Sequence, residues 1–311
     1  MTAVRLSSPR LVVAGLGGDS GKTLLSLGLV RCLRERGLVV RTAKKGPDFI
    51  DAAWLSAAAG SACVNLDTFM MPRAGIGAGV RPLEGADLVL VEGNRGLYDG
   101  VDAGGTHSTA ELAKLLGAPV LLVVDTSKAT RTVAAQVLGC QALDRTLRLA
   151  GVVLNRVGTA RQESLVRSAV EEITGLPVVG ALPRLAGDDP LPGRHLGLVT
   201  VAEHPDGERA IARAAEVVGR SLDLDRVLDL ARGAAAVELP VLELEAAPER
   251  CRVGYLADPA FSFYYPENLD SLRRGGAELV AVAPGAAAAL AGLDGLYIGG
   301  GFPELHAGRL A

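Results

Sequence analysis

Three short stretches carry residues whose types and spacing suit phosphate chemistry. "GLGGDSGKT" (Gly15–Thr23) is a glycine-rich loop closing on Gly-Lys-Thr. Backbone N–H groups from Gly15, Gly17, Gly18, Asp19, Ser20 and Gly21 can cradle phosphate oxygens, with the N-terminus of a following helix behind them. Lys22 can reach the β- and γ-phosphates, and the Thr23 hydroxyl can ligate Mg²⁺. "KKGPDFID" (Lys44–Asp51) offers Asp48 as a second Mg²⁺ ligand and Lys44 as a cation against the γ-phosphate. In "VEGNRGLYDG" (Val91–Gly100), Glu92 is a Walker-B-type acid for the metal, and Asp99 lies in a glycine-punctuated loop that can contact a substrate. Asn155 ends "GVVLNRV", and its side-chain amide can read an adenine edge by paired hydrogen bonds. Taken singly, Asp48 also reads as a solvated turn, Glu92 as a solvated strand end and Asn155 as a helix cap. Thr23, Asp48 and Glu92 converging on one edge is the less common event.

The elements that must position these residues are legible as an alternation. Compact Val- and Leu-rich runs at Leu11–Ala14, Leu38–Thr42, Asp87–Val91, Pro119–Val124 and Gly151–Leu154 predict strands buried on both faces. Amphipathic stretches lie between them, among them Thr23–Arg36, closed by Gly37. The pattern predicts a doubly wound, mostly parallel α/β sheet, whose ligands bind at the carboxyl ends of the strands. Residues 233–250 lose periodicity and read as a linker. A second α/β pattern follows: strand Arg252–Leu256, helix Glu267–Arg274, strand Glu278–Val282 and strand Gly295–Ile298. The expected division is 1–232, a P-loop domain; 233–250, a linker; and 251–311, the start of a second domain.

Composition limits the partners. A net charge of −3 gives no reason to expect nucleic acid or an anionic membrane. No apolar run approaches membrane-spanning length, and no leader-like segment opens the chain. The four scattered cysteines, Cys32, Cys63, Cys140 and Cys251, suit a reducing cytoplasm. Of 32 basic residues only five are lysine, and three of those, Lys22, Lys44 and Lys45, fall in the first two motifs, where a compact ammonium fits among phosphates better than a planar guanidinium.

The loop has five residues between Gly15 and Gly21, one more than the common P-loop, and so resembles that of dethiobiotin synthetase and its relatives. With "GPDFIDAAW", "NLDTF", "STAELAKLLGAPVLLVVD", "GVVLNRV", "RHLGLVTVAE", "FYYPENLDSL" and "GLYIGGGFPEL" in order, the whole chain resembles the cobyrinic acid a,c-diamide synthase family. The resemblance implies an ATP- and Mg²⁺-dependent ligase domain of the dethiobiotin-synthetase type, then a truncated flavodoxin-like α/β domain of class I glutamine amidotransferases. It implies cytoplasmic amidation of acetate carboxylates on a tetrapyrrole through an acyl phosphate, with ammonia from glutamine, in cobalamin biosynthesis. Lys22, Lys44, Asp48, Glu92 and Asp99 would be catalytic, with Asp99 on the acyl-acceptor side and Asn155 facing the base. A homodimer is left open. None of the four cysteines matches the family's nucleophile, so the chain is not expected to hydrolyse glutamine. "EGNRG" and "GGTHST" depart from the family's usual text, and Arg95 or His107 could meet a substrate carboxylate. The alternatives are a sirohaem or sirohydrochlorin amidase with the same chemistry and, outside that class, a partitioning-type P-loop switch ATPase.

Overall fold

The computed structural model describes residues 2–185, 191, 193–194, 197–201, 203–241 and 247–310. Residues 242–246 of the expected linker lie outside these, as do His195, Leu196 and Ala202 of the "RHLGLVTVAE" stretch. The chain divides into two compact units, Met1–Val241 and Leu242–Ala311.

In the first unit the chain order begins β1 (Thr2–Leu6), β2 (Arg10–Gly15), α1 (Lys22–Glu35), β3 (Val40–Lys45), α2 (Phe49–Ala59), β4 (Val64–Leu66), α3 (Arg73–Val80) and β5 (Leu88–Gly96). It continues α4 (Thr109–Leu115), β6 (Val120–Asp125), α5 (Arg131–Leu143), β7 (Leu149–Val157), α6 (Ala160–Thr174) and β8 (Val178–Pro183). The two-residue strands β9 (Gly193–Arg194) and β10 (Gly197–Leu198) precede α7 (Gly207–Ser221), α8 (Leu224–Arg232) and β11 (Val237–Val241). Seven strands form one sheet in the order β4-β3-β5-β2-β6-β7-β8, every pairing parallel. The expected doubly wound sheet is present. Its winding reverses at β2, so the crevice that such sheets offer to ligands opens beyond Gly15, where the glycine loop begins.

Alternate residues of β2 serve two helical layers. Val12 and Ala14 join a buried cluster with Ile76 of α3, Leu112 of α4, Val133 of α5 and Val166 of α6. Leu11 and Val13 are also fully buried, and α1 packs on α7 and α2. Gly28 permits the close approach of α1 and α7, because a Cβ there would run into Val218 and the Ala214 carbonyl.

Two expectations shift. The second strand of the central sheet in chain order, β3, begins at Val40 and not Leu38, and it runs on through Lys44 and Lys45. Residues Val237–Val241, expected in the linker, form β11 and pair antiparallel with β1, from Thr2↔Val241 to Leu6↔Val237. The first unit therefore runs past 232. What holds this return segment is Arg10, whose fully buried guanidinium donates to the carbonyls of Leu116 (2.6 Å), Ser8 (3.0 Å), Leu6 (3.4 Å) and Ala235.

The second unit contains β12 (Cys251–Leu256), α9 (Pro266–Arg274), β13 (Ala277–Val282), β14 (Gly295–Tyr297) and α10 (Ala307–Leu310). Its three strands are parallel in the order β13-β12-β14, as an α/β pattern of this kind requires.

Candidate functional site

The glycine loop leaves the start of α1 open. Gly21, the residue before the helix, has φ +93° and no capping side chain, and the first turn of α1 carries no acid. The neighbouring α2 and α4 are capped by Asp48 and Ser108. The first N–H groups of α1 thus remain available to an anion. A Cβ on Gly17 or Gly18 would meet nothing, so the loop encloses open space, whereas a Cβ on Gly15 would overlap the Ser20 hydroxyl.

Lys22 arches back over this loop. Its ammonium donates to the Gly17 carbonyl (2.9 Å), the Arg95 carbonyl (3.0 Å) and the Ser20 hydroxyl (3.3 Å). Burial pulls its pKa below the ordinary lysine value; the charge of Glu92 opposes this and that of Lys44 adds to it.

Thr23, Lys44, Asp48 and Glu92 do come together. Lys44 and Glu92 face each other across the β3–β5 pairing. The Lys44 ammonium donates to Asp51 Oδ2 (2.6 Å), Glu92 Oε1 (2.8 Å) and the Gly93 carbonyl (3.2 Å), with Asp48 Oδ2 at 3.8 Å. Thr23 Oγ1 donates to the same Glu92 oxygen at 3.0 Å. Burial alone lowers the Lys44 pKa, but the charges of Glu92, Asp51 and Asp48 together outweigh it and raise it well above the ordinary lysine value. Burial, reinforced by Asp51, pushes the Asp48 carboxyl up, and burial does the same to Glu92 against the pull of Lys44. Asp51 belongs to this cluster and was not singled out from the sequence. Its signal was its spacing: three residues after the cap Asp48, it stands in the first turn of α2, where its own N–H bonds Asp48 Oδ1 (3.0 Å).

These residues suit a magnesium ion. Three carboxylates, Asp48, Asp51 and Glu92, face the single ammonium of Lys44, a local surplus of negative charge. Glu92 Oε2 is sealed from solvent with no hydrogen-bond partner. Hydroxyl and carboxylate oxygens are the hard donors that Mg²⁺ selects. Among the described residues no group of three or more His, Cys, Asp and Glu is arranged to hold a metal ion.

Two expected site residues have other engagements. Asn155 sits at the carboxyl end of β7, buried, and its Nδ2 donates to the Ser20 carbonyl (2.8 Å) while its Oδ1 accepts from the Arg156 N–H (2.8 Å). Through the Ser20 carbonyl it braces the glycine loop. Asp99 is exposed, and its Oδ2 accepts from the Gly96 N–H (2.8 Å), closing the turn after β5. In the second unit, the Gly299 N–H donates to the Tyr264 hydroxyl (2.9 Å). Cys251 opens β12 with its thiol toward the Gly276 carbonyl, and burial raises the thiol pKa of Cys32 and Cys140.

An uncapped helix after a glycine loop at the winding reversal, with lysines, a threonine and acids from β5 and the α2 cap around it, defines a P-loop nucleotide-binding protein. Residues 11–199 match the family model described as "CobQ/CobB/MinD/ParA nucleotide binding domain", and residues 252–311 match "CobB/CobQ-like glutamine amidotransferase domain". The chain belongs to the cobyrinic acid a,c-diamide synthase family. It is 44% identical over 305 residues to a cobyrinate a,c-diamide synthase of Magnetococcus marinus, covering 96% of this chain and 65% of that protein. The counterpart from Archaeoglobus fulgidus is 42% identical over 312 residues, covering 99% and 67%. A hydrogenobyrinate a,c-diamide synthase of Mesorhizobium japonicum is 41% identical over 313 residues, covering 98% and 70%. The chain thus spans about two thirds of the length of the curated relatives it matches. Among solved structures, chloroplast FtsY from Physcomitrella patens is similar at a TM-score of 0.43 and 18% identity, covering 67% of this chain and 65% of that one.

Proposed function

We propose that this chain binds ATP with Mg²⁺ and activates an acetate carboxylate of a corrin-type tetrapyrrole as an acyl phosphate, which ammonia converts to an amide. The observation that carries the reading is the cluster of buried Lys22, Lys44 and Glu92 with half-buried Thr23 and Asp48 beside the open N-terminus of α1, in a chain 44% identical to a protein named for that reaction. A carboxylate oxygen attacks the γ-phosphorus as the bond to ADP breaks. Ammonia then attacks the acyl carbon and loses a proton, and inorganic phosphate leaves. Little of this needs covalent participation by the protein; positioning and neutralised charge suffice.

Lys22 exchanges its three acceptors, two in the loop and one in β5, for phosphate oxygens when the nucleotide enters. Lys44 adds positive charge at the far side of the same space. Thr23, Asp48 and Glu92 would hold Mg²⁺, which when bound supplies charge neutralisation on the phosphates. Asn155 contributes to nucleotide binding through the loop that it braces. Asp99 flanks that loop on the acyl-acceptor side, since Leu16 and Asp99 both crowd Gly96. The second unit is the start of the ammonia source in the complete arrangement, and the four free thiols favour a cytoplasmic setting. Among the described residues no helix is long and apolar enough to cross a membrane.

The test is amidation followed by mass spectrometry, with ATP, Mg²⁺ and either ammonium or glutamine, offering cobyrinic acid, hydrogenobyrinic acid and sirohaem in parallel. Amide formed on a corrin with ammonium supports the reading. A chain that binds ATP yet amidates none of the three refutes it.

A further inference from the structure

The loop after β4 displays apolar surface where burial would be expected. Phe69 is 67% exposed and Met70 65% exposed. They are not loosely held. The buried Asp67 carboxylate accepts from both their N–H groups, at 2.8 and 3.0 Å, and the Asp67 carbonyl accepts from Met71 (2.9 Å). A buried acid thus fixes a turn whose outward face is an aromatic ring and a thioether. His107 stands against that ring edge-on, centroids 5.4 Å apart at 78°, with Nδ1 3.0 Å from Thr68 Oγ1. The turn and His107 come from loops past the carboxyl ends of β4 and β5, the edge that also carries the glycine loop.

Backbone strain collects along the same edge. Among the described residues the non-glycine residues with left-handed φ are Asp19, Arg95, His107, Lys128 and Arg156, each in the last residues of a strand or in the loop between that strand and the next helix. Arg95 (φ +49°) gives its carbonyl to the Lys22 ammonium and leaves its side chain exposed; His107 has φ +61°. Glycine would take either conformation without strain. A histidine kept there against an exposed aromatic turn, and an exposed arginine on the same edge next to Lys22, match a ligand that is flat, apolar and fringed with carboxylates.

We propose that the Thr68–Met70 turn, His107 and Arg95 form the binding seat of the acyl acceptor, a macrocyclic polycarboxylate. Its ring face lies on Phe69 and Met70, and His107 and Arg95 hold carboxylates other than the one being activated beside Lys22. The inference rests on the amidating function proposed above and names how that substrate is recognised.

The experiment measures cobyrinic acid binding by equilibrium dialysis with absorbance detection, and ATP binding separately, on the full chain and its His107→Gly, Arg95→Gly and Phe69→Ser variants. Both glycine substitutions relieve strain, so their melting temperatures are expected to stay level or rise. The expected result is a tenfold or larger loss of cobyrinic acid affinity in each variant, with ATP affinity within twofold of the parent and the loss appearing in KM more than in kcat. Parent-like macrocycle binding in all three, in a chain that still amidates, overturns the seat alone. A parent chain that binds ATP and no tetrapyrrole overturns the amidating function and the seat with it.

Discussion

The Lys44 ammonium lies 2.8 Å from Glu92 Oε1, and neither side chain reaches water to any useful extent, with Glu92 at 0% exposure. A buried ion pair of this kind is weak evidence for stability, but removing one partner strands the other. Lys44→Met leaves Glu92 and Asp51 without their shared cation. We expect a loss of about 3 kcal/mol or more in urea denaturation. Glu92→Gln, which keeps the shape and leaves Lys44 on Asp51, should unfold near the parent midpoint while ATP turnover falls on the order of a hundredfold.

Lys22 donates only to Gly17 and Ser20 of the loop and to the Arg95 carbonyl near the end of β5. Lys22→Ala is therefore expected to melt within a few degrees of the parent, and its ATP turnover should be abolished. Unchanged turnover in that variant would sink the phosphate role of the loop.

Arg10 is a separate case, a buried cation satisfied by carbonyls alone, with burial lowering its pKa against the distant pull of Glu84. Arg10→Met fills much of the space and orphans the carbonyls of Leu6, Ser8, Leu116 and Ala235. At about 1–3 kcal/mol for a buried group left unpaired, the loss should exceed that of any surface arginine. Hydrogen exchange in β11 should rise first, since Ala235 leads into that strand.

Metal affinity should respond to pH above the ordinary carboxylate range. Burial raises both Asp48 and Glu92, so they take up protons sooner than free acids as pH falls. Calorimetric titration with MgCl₂ plus ADP from pH 8 to 5 should show affinity falling as these acids protonate, in Asp48→Asn less steeply. For the metal-free protein the sign is opposite. A raised folded-state pKa stabilises below the unfolded pKa, and that share is lost as pH climbs through the raised values.

Burial also pushes the Tyr98 phenol up to about 12, while its hydroxyl donates to the Cys140 carbonyl at 2.6 Å. Of the five tyrosines, one should ionise last in a 295 nm titration, and Tyr98→Phe should remove that step. Its contribution to stability is present below about 10, the unfolded value, and disappears as pH approaches 12.

How much of this the sequence disclosed depends on range. The glycine loop, its strand and its helix are local, and each was legible. Lys44 was visible as a cation but read as lying beyond a strand. It is an inward-facing residue of β3, because hydropathy takes a lysine for a surface residue and cannot see Glu92 arriving from 48 positions away. The β1–β11 ribbon was invisible for a similar reason: Glu238 and Pro240 blur the alternation, and the partner strand is at the other end of the unit. Asn155 was found but its partner was not, since nothing local to "GVVLNRV" mentions Ser20. The exposed Phe69 and Met70 are the reverse case, apolar residues that periodicity would bury and that Asp67 turns outward.

The contact between Asn155 and the glycine loop has a historical consequence. A Cβ on Gly21 would occupy the place of Asn155 Nδ2. Neither position can drift alone: a side chain at 21 requires a shorter residue at 155, and a shorter residue at 155 abandons the Ser20 carbonyl. Two sites 134 residues apart therefore constrain each other's substitutions, and descendants of this chain should keep or exchange them as a pair.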